Sequence, residues 1–215
     1  MVLVAAAMSA PAQDEVKELD GYYDFSSEFK MYSGYLPLQA EPEIKTHYVF
    51  ITSKNDPAND PLVLWSNGGP GCSSLIGFLS ELGPHLVKAG NPDELSYAKN
   101  PYSWNNKANM LFLESPPGVG FSINEDPKYQ ANDSRSAQDN LHAIKEWFKL
   151  FPEYAKHKFF ISGESYCGMY LPQLATQLFK HIEDIVPDGR LDFQGMLIGN
   201  GVMWTPAHWR RQARN

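Results

Sequence analysis

One serine has the sequence surroundings of a reactive nucleophile. It is Ser165, within the segment Gly-Glu-Ser-Tyr-Cys-Gly at residues 163–168. The pattern is close to the Gly-x-Ser-x-Gly of a nucleophile elbow, although the second glycine comes one position late. An apolar segment precedes the serine, and helical periodicity begins at Tyr166. This order places the serine at a helix N-terminus. Developing negative charge is favoured at that position. The alternative is a Gly-Glu-Ser turn that only caps the helix.

A glycine-rich segment could provide the second half of such a site. Residues 65–74 read Trp-Ser-Asn-Gly-Gly-Pro-Gly-Cys-Ser-Ser and lie between an apolar run and a predicted helix. Neighbouring glycines let main-chain N–H groups approach a reacting carbonyl, as in the oxyanion hole of hydrolases. A phosphate-binding loop is the competing explanation. The segment lacks the Lys-Ser/Thr ending and the Gly-x-Gly-x-x-Gly spacing of nucleotide-binding loops, which favours the oxyanion hole and predicts no cofactor.

The elements that must position these segments alternate along the chain. Residues 28–53 predict a β-hairpin with its bend at 37–42. Further strands are predicted at 62–65, 109–113, 158–162 and 193–198, and helices at 73–82, 134–151 and 166–181. Asn132 or Ser134 can cap the second helix. This order predicts an α/β fold in which helices flank a mostly parallel sheet on both faces.

Composition excludes several classes of function. The 215 residues carry a formal net charge of −7 and no long basic run, so we expect no nucleic-acid partner. No apolar stretch reaches the roughly 18 residues of a membrane span. Two cysteines cannot build a disulfide framework, and the six histidines do not cluster as a metal site would require.

Two local features predict export. Residues 1–13 combine a short apolar run with small residues, which is typical of a removable signal peptide. A clipped start or a buried N-terminal strand is the alternative for this segment. The triplet Asn132-Asp133-Ser134 is an acceptor for N-glycosylation.

Five segments resemble, in order, the successive motifs of serine carboxypeptidases, and most of all those of lysosomal members. They are residues 65–74, 100–105, 114–122, 163–168 and 198–201. The resemblance covers residues 14–201 and is absent from the tail at 202–215. It implies an α/β-hydrolase fold and the release of C-terminal amino acids from peptides or proteins at acidic pH. It also implies a protein of the secretory pathway, located in a lysosome or vacuole or outside the cell.

The resemblance also implies roles for individual residues. Ser165 would be the nucleophile that forms an acyl-enzyme, and the N–H groups of Gly69 and Tyr166 would be the oxyanion donors. A further set would bind the terminal carboxylate of the substrate, namely Asn67, Glu164, Glu81 and Trp65.

The two glutamates of that set predict a dependence on pH. A carboxylate beside the nucleophile repels the carboxylate of a substrate unless it is protonated and donates a hydrogen bond. Like charges at close range favour the sharing of one proton, so Glu81 and Glu164 should hold substrate best at low pH. The alternative role for Glu164 is that of a helix cap.

Some parts that the family resemblance implies have no counterpart in the sequence. In the family, the cysteine at the position of Cys72 pairs with a much later one, and no later cysteine suits it here. The triad acid and histidine should follow the serine in the chain. His181 shares its helix with Ser165, about 24 Å away along the axis at about 1.5 Å per residue, and Asp192 with His208 leaves no room for intervening strands.

We therefore interpret the chain as the N-terminal portion of the hydrolase domain, incomplete at its C-terminal side. A missing C-terminal portion, or a second copy in a homodimer, would then cover an open sheet edge. Two other functions remain open at this point: an inactive carboxypeptidase-like binding or stabilising protein, and an acyltransferase that uses the same acyl-enzyme.

Overall fold

A computed structural model describes residues 10–19, 25–88, 96–187 and 189–203 of the chain. The strands in these ranges are β1 (Glu15–Val16), β2 (Met31–Gln39), β3 (Ile44–Ile51), β4 (Leu62–Ser66), β5 (His85–Val87), β6 (Tyr97–Lys99), β7 (Asn109–Leu113), β8 (Ile123–Asn124), β9 (Phe159–Glu164) and β10 (Phe193–Gly199). The α-helices are α1 (Leu75–Ser80), α2 (Asp133–Leu150) and α3 (Cys167–Lys180). Residues 1–9 of the predicted signal peptide and residues 204–215 of the tail lie outside the described residues.

Eight of these strands form one mixed sheet. Its order is β1-β2-β3-β7-β4-β9-β10, and β8 pairs with β3 at the side. The four strands β7, β4, β9 and β10 run parallel, whereas the predicted hairpin β2–β3 joins β7 in antiparallel orientation. The predicted α/β class, with a mostly parallel sheet and flanking helices, is confirmed. The strands that the sequence did not indicate are β1, β5, β6 and β8, which are too short to show periodicity.

Both faces of the central strands β4 and β7 are buried, which explains their nearly continuous apolar runs. In β4, Leu62 and Leu64 point to the cluster that contains residues of α2 and α3. Val63 and Trp65 point to the opposite cluster, which contains Phe78 of α1. The sheet is therefore held between two hydrophobic layers, and the carboxyl ends of its parallel strands remain available for loops.

Helix α2 begins at the predicted glycosylation triplet. The backbone of Asn132 is extended, and its side-chain oxygen accepts a hydrogen bond of 3.0 Å from the N–H of Arg135. This bond makes Asn132 the N-cap and leaves Ser134 inside the helix. The helix then buries Trp147, whose ring stacks on Phe151 with centroids 4.7 Å apart.

The sheet ends at β10 within the described part of the chain. This strand pairs only with β9, and its residues Met196 and Leu197 are 45% and 48% exposed. Among the described helices, none is long and apolar enough to cross a membrane.

The N-cap can be tested separately from glycosylation in unglycosylated protein. Asn132→Ala should lower the free energy of unfolding by about 1 kcal/mol, because an N–H group of the first turn loses its acceptor. Asn132→Asp keeps an oxygen at this position and should stay close to the wild type. Urea denaturation measures both, and Ser134→Ala is a control that removes the triplet but keeps the cap. Equal stability of the Ala and Asp variants would contradict this role.

Candidate active site

Ser165 occupies a strained turn between β9 and α3. Its φ is +57°, a left-handed conformation that, among the described non-glycine residues, only Asn200 shares. The turn is anchored to the end of β10: the N–H of Ser165 donates to the carbonyl of Gly199 at 2.9 Å, and its carbonyl accepts from the N–H of Val202 at 2.8 Å. Ser165 itself is exposed. The strand, turn and helix therefore present the hydroxyl to solvent, as a nucleophile elbow does.

Two glycines make this turn sterically feasible. A Cβ at Gly163 would overlap the carbonyl oxygen of Ser66 and lie 2.6 Å from the sulfur of Cys167. A Cβ at Gly168 would lie 2.5 Å from the carbonyl oxygen of Val202. The second glycine is displaced by one position from the usual elbow pattern because it is position 168 that packs against the chain after β10.

The glycine-rich turn after β4 lies directly against this elbow. A Cβ at Gly68 would be 2.5 Å from the backbone nitrogen of Tyr166 and 2.9 Å from the Cβ of Ser165. The next residue, Gly69, is exposed and has a φ of +113°. Within the described residues, the N–H groups of Gly69 and Tyr166 have no hydrogen-bond acceptor. Both are thus free to stabilise an oxyanion beside Ser165.

Asn67 connects this turn to the residue before the serine. Its side-chain oxygen accepts hydrogen bonds from the indole N–H of Trp65 at 2.8 Å and from the N–H of Gly77 at 3.0 Å. Its amide nitrogen donates to Glu164 at 3.3 Å. Because two donors occupy the oxygen, the NH₂ group must face Glu164. The structure thereby brings together three of the residues predicted to bind a carboxylate.

Glu81, the fourth member of that set, completes the group. Partial burial, followed by the negative charge of Glu164, raises the pKa of Glu81, and a hydrogen bond with Asn67 opposes part of this effect. A carboxyl group with a raised pKa stays protonated further above its ordinary range. It can then donate a hydrogen bond to an incoming carboxylate.

Two residues with no role predicted from the sequence support this group. The ring of Trp104 meets that of Trp65 edge to face at 5.5 Å. The amide of Asn100 donates to the carbonyls of Glu81 and Gly83 at 3.1 and 2.9 Å. Both lie in the motif at residues 100–105, which was the available signal for their involvement.

The neighbouring thiols are not bonded to each other. Cys72 is exposed and free, and Cys167 is free and buried. The thiol of Cys167 donates to the carbonyl of Ser66 at 3.0 Å, and burial raises its pKa to about 12. Cys167 is therefore a packing residue under the elbow.

Comparison with known proteins identifies the family to which the chain belongs. The profile of the serine carboxypeptidase family, peptidase S10, matches residues 22–213. The chain belongs to this family. The match includes most of the tail in which the motifs showed no resemblance.

Individual relatives agree with the family assignment. The lysosomal protective protein of Mus musculus is 47% identical over 194 residues, which are 90% of this chain and 38% of that protein. Serine carboxypeptidase ctsa-3.1 of Caenorhabditis elegans is 41% identical, and the matched region is 99% of this chain and 39% of that protein. The chain thus spans about two fifths of the length of these relatives.

A solved structure of the family confirms the fold. The prohormone-processing carboxypeptidase Kex1 of Saccharomyces cerevisiae superimposes on this chain with a TM-score of 0.72 and 26% sequence identity. The superposition covers 95% of this chain and 47% of the Kex1 chain. The fold is that of the α/β hydrolases, as the motifs implied.

The triad partners expected in this family are not found among the described residues. No hydrogen bond joins the hydroxyl of Ser165 to a histidine there. His181 follows the last turn of α3 and lies 3.4 Å from Asp184, at the far end of the helix from the serine. Asp192 precedes β10, at the opposite end of that strand from Ser165, and His208 lies outside the described residues.

The packing of the elbow glycines leads to a stability test. Gly163→Ala should lower the free energy of unfolding by about 1–3 kcal/mol, because its methyl group overlaps the neighbouring strand. Gly199→Ala is the matched control: its Cβ would meet Glu164 at an ordinary 3.7 Å, and the change should stay within about 0.5 kcal/mol. Urea denaturation compares the two. A tolerated Gly163→Ala would contradict the described approach of β9 to β4.

Proposed function

We propose that this protein is a serine carboxypeptidase that removes C-terminal amino acids from peptides through an acyl-enzyme on Ser165. The observation that carries the proposal is the hydrogen bond between Asn67 and Glu164, because Glu164 is the residue immediately before the nucleophile. A peptide held by its terminal carboxylate at this pair would present its last peptide bond to Ser165. An endopeptidase has no use for a carboxylate-binding group so close to its nucleophile.

The reaction follows from the positions of the groups. The hydroxyl of Ser165 attacks the last peptide carbonyl, and the oxygen that becomes negative accepts hydrogen bonds from the N–H groups of Gly69 and Tyr166. One such donor is worth about 2.7–4 kcal/mol of transition-state stabilisation. The terminal amino acid leaves, and water then releases the shortened peptide from the serine.

A general base has to take the proton of Ser165 and later return it to the leaving amine. In a serine triad this base is a histidine, which an acidic side chain orients. We infer that both residues lie outside the described residues, in the part of the protein that the longer relatives possess. On this view the chain contributes the nucleophile, the oxyanion hole and the carboxylate-binding group.

We also propose that the protein enters the secretory pathway and acts in a lysosome, a vacuole or the extracellular space. Support comes from the predicted signal peptide at residues 1–13, from the lysosomal name of one relative, and from the location of Asn132 at the exposed start of α2. Glycosylation there would modify the amide nitrogen and leave the capping oxygen free.

The proposed activity can be tested with a fluorophosphonate and two peptides. The probe should label wild-type protein on Ser165 but not Ser165→Ala. A peptide with a free C-terminus should lose its last residue, and the same peptide with a C-terminal amide should react at least about tenfold more slowly, since it lacks the charge that the site binds. Mass spectrometry follows both reactions.

Other outcomes would assign the chain differently. Equal rates on the free acid and the amide would contradict the carboxypeptidase proposal. A folded chain that no fluorophosphonate labels would favour a non-catalytic binding role, unless a longer form of the same protein is labelled.

The carboxylate-binding group predicts a dependence on pH. Peptide binding needs a proton on Glu81, so KM should rise as the pH rises through the raised pKa of this group. In Glu81→Gln and Glu164→Gln the amide is a permanent neutral donor, and the rise should flatten. KM measured from pH 4 to 8, roughly across this transition, tests this. Glu183→Gln, a change in an exposed ion pair with Arg190, is the matched control. An unchanged rise in both amide variants would refute the assignment.

A further inference from the structure

A second polar cluster contacts the end of the glycine-rich turn and consists of Glu114 with its partners Ser73, His47 and Phe121. Its centre is Glu114, the residue that follows β7, whose side chain is fully buried. A charged group without solvent requires partners for its oxygen atoms, and each partner is thereby fixed in place. The partners of Glu114 therefore show what this carboxylate positions.

One oxygen of Glu114 holds the end of the glycine-rich turn. It accepts a hydrogen bond from the hydroxyl of Ser73, which in turn accepts from the N–H of Leu75 at 3.1 Å. Ser73 is the junction between the turn and α1. The adjacent Ser74 is tied to the same strand, since its hydroxyl donates to the carbonyl of Leu113 at 2.5 Å.

The other oxygen holds the hairpin and a second loop. It accepts from the ring Nδ1 of His47 at 2.9 Å and from the N–H of Phe121 at 2.8 Å. The opposite ring nitrogen of His47 bonds the hydroxyl of Ser33 at 2.9 Å. A Cβ at Gly120 would overlap the carboxylate, which shows how closely this loop wraps around it.

The electrostatic balance favours the ionised form of Glu114. Burial opposes ionisation, but hydrogen bonds from His47, Ser73 and Phe121 outweigh it and hold the pKa of Glu114 below its usual range. A carboxylate can accept from all of these donors at once, whereas an amide has only one oxygen to offer.

We propose that Glu114 is a positioning residue that fixes the glycine-rich turn through Ser73 and so keeps the N–H of Gly69 directed at the oxyanion. Three residues lie between Gly69 and Ser73, and apart from a hydrogen bond between the N–H of Gly71 and the side chain of Tyr170, no other side chain anchors this segment among the described residues. The effect on catalysis rests on the proposed function. The effect on the order of the turn does not, because it concerns the fold alone.

Hydrogen exchange tests the order of the turn without any need for catalysis. The N–H of Cys72, which donates to the carbonyl of Gly68 within the turn, should exchange at least about tenfold faster in Ser73→Ala and in Glu114→Gln than in the wild type, while the amides of β4 and β9 keep their protection. Ser33→Ala is the matched control, because it removes a hydrogen bond of the same cluster on the side away from the turn. Ser73→Ala keeps the experiment informative if Glu114→Gln does not fold.

Kinetics then separates positioning from a purely structural role. In catalytically active protein, with rates normalised to the fluorophosphonate-titrated concentration of Ser165, Ser73→Ala and Glu114→Gln should lower kcat by about 10- to 100-fold. KM should change by less than about twofold, because Asn67 and Glu164 are not touched. A purely structural role would reduce the number of titratable sites and leave kcat per site unchanged.

Each outcome decides one of the two proposals. Unchanged exchange of the Cys72 N–H in both variants would overturn the role of Glu114. So would a raised KM with an unchanged kcat. Faster exchange in a protein that no fluorophosphonate labels, either as this chain or in a longer form, would support the positioning of the turn and contradict the proposed activity.

Discussion

The site depends on the close approach of two backbone turns that end neighbouring parallel strands. Gly68, after β4, lies so near the backbone of Tyr166, after β9, that a single methyl group would not fit between them. This contact brings the turn that contains Gly69 against the elbow that contains Ser165 and Tyr166. It is possible only because the strands are adjacent and parallel, and because glycines occur where the chains touch.

Around this contact, the protein arranges polar groups that are themselves oriented by buried neighbours. The amide of Asn67 faces Glu164 because Trp65 and Gly77 occupy its oxygen, and the glutamate Glu81 lies near enough for its proton affinity to rise. A flexible side chain on the surface could not keep such an orientation. Catalytic and binding groups with defined geometry generally need this second layer of contacts.

Much of the fold could be predicted from the sequence because its signals are local. The strand at residues 109–113 and helix α2 follow from runs of apolar residues and from their spacing. Strands of two or three residues, such as β1 and β8, carry no such signal and form only because a neighbouring strand offers hydrogen bonds. The choice of Asn132 over Ser134 as the cap likewise depended on the backbone conformation, which residue type alone does not specify.

By itself, the sequence determined which chemistry is available: a serine before a helix, glycines that free backbone N–H groups, and acids beside them. Five ordered motifs were sufficient to predict the family. Only the tertiary structure decided which of these groups meet, because the turn after β4 and the elbow after β9 are about one hundred residues apart in the chain and become neighbours through sheet order. It also showed the role of Glu114, since burial and hydrogen-bond partners are properties of the folded chain that residue type and spacing do not encode.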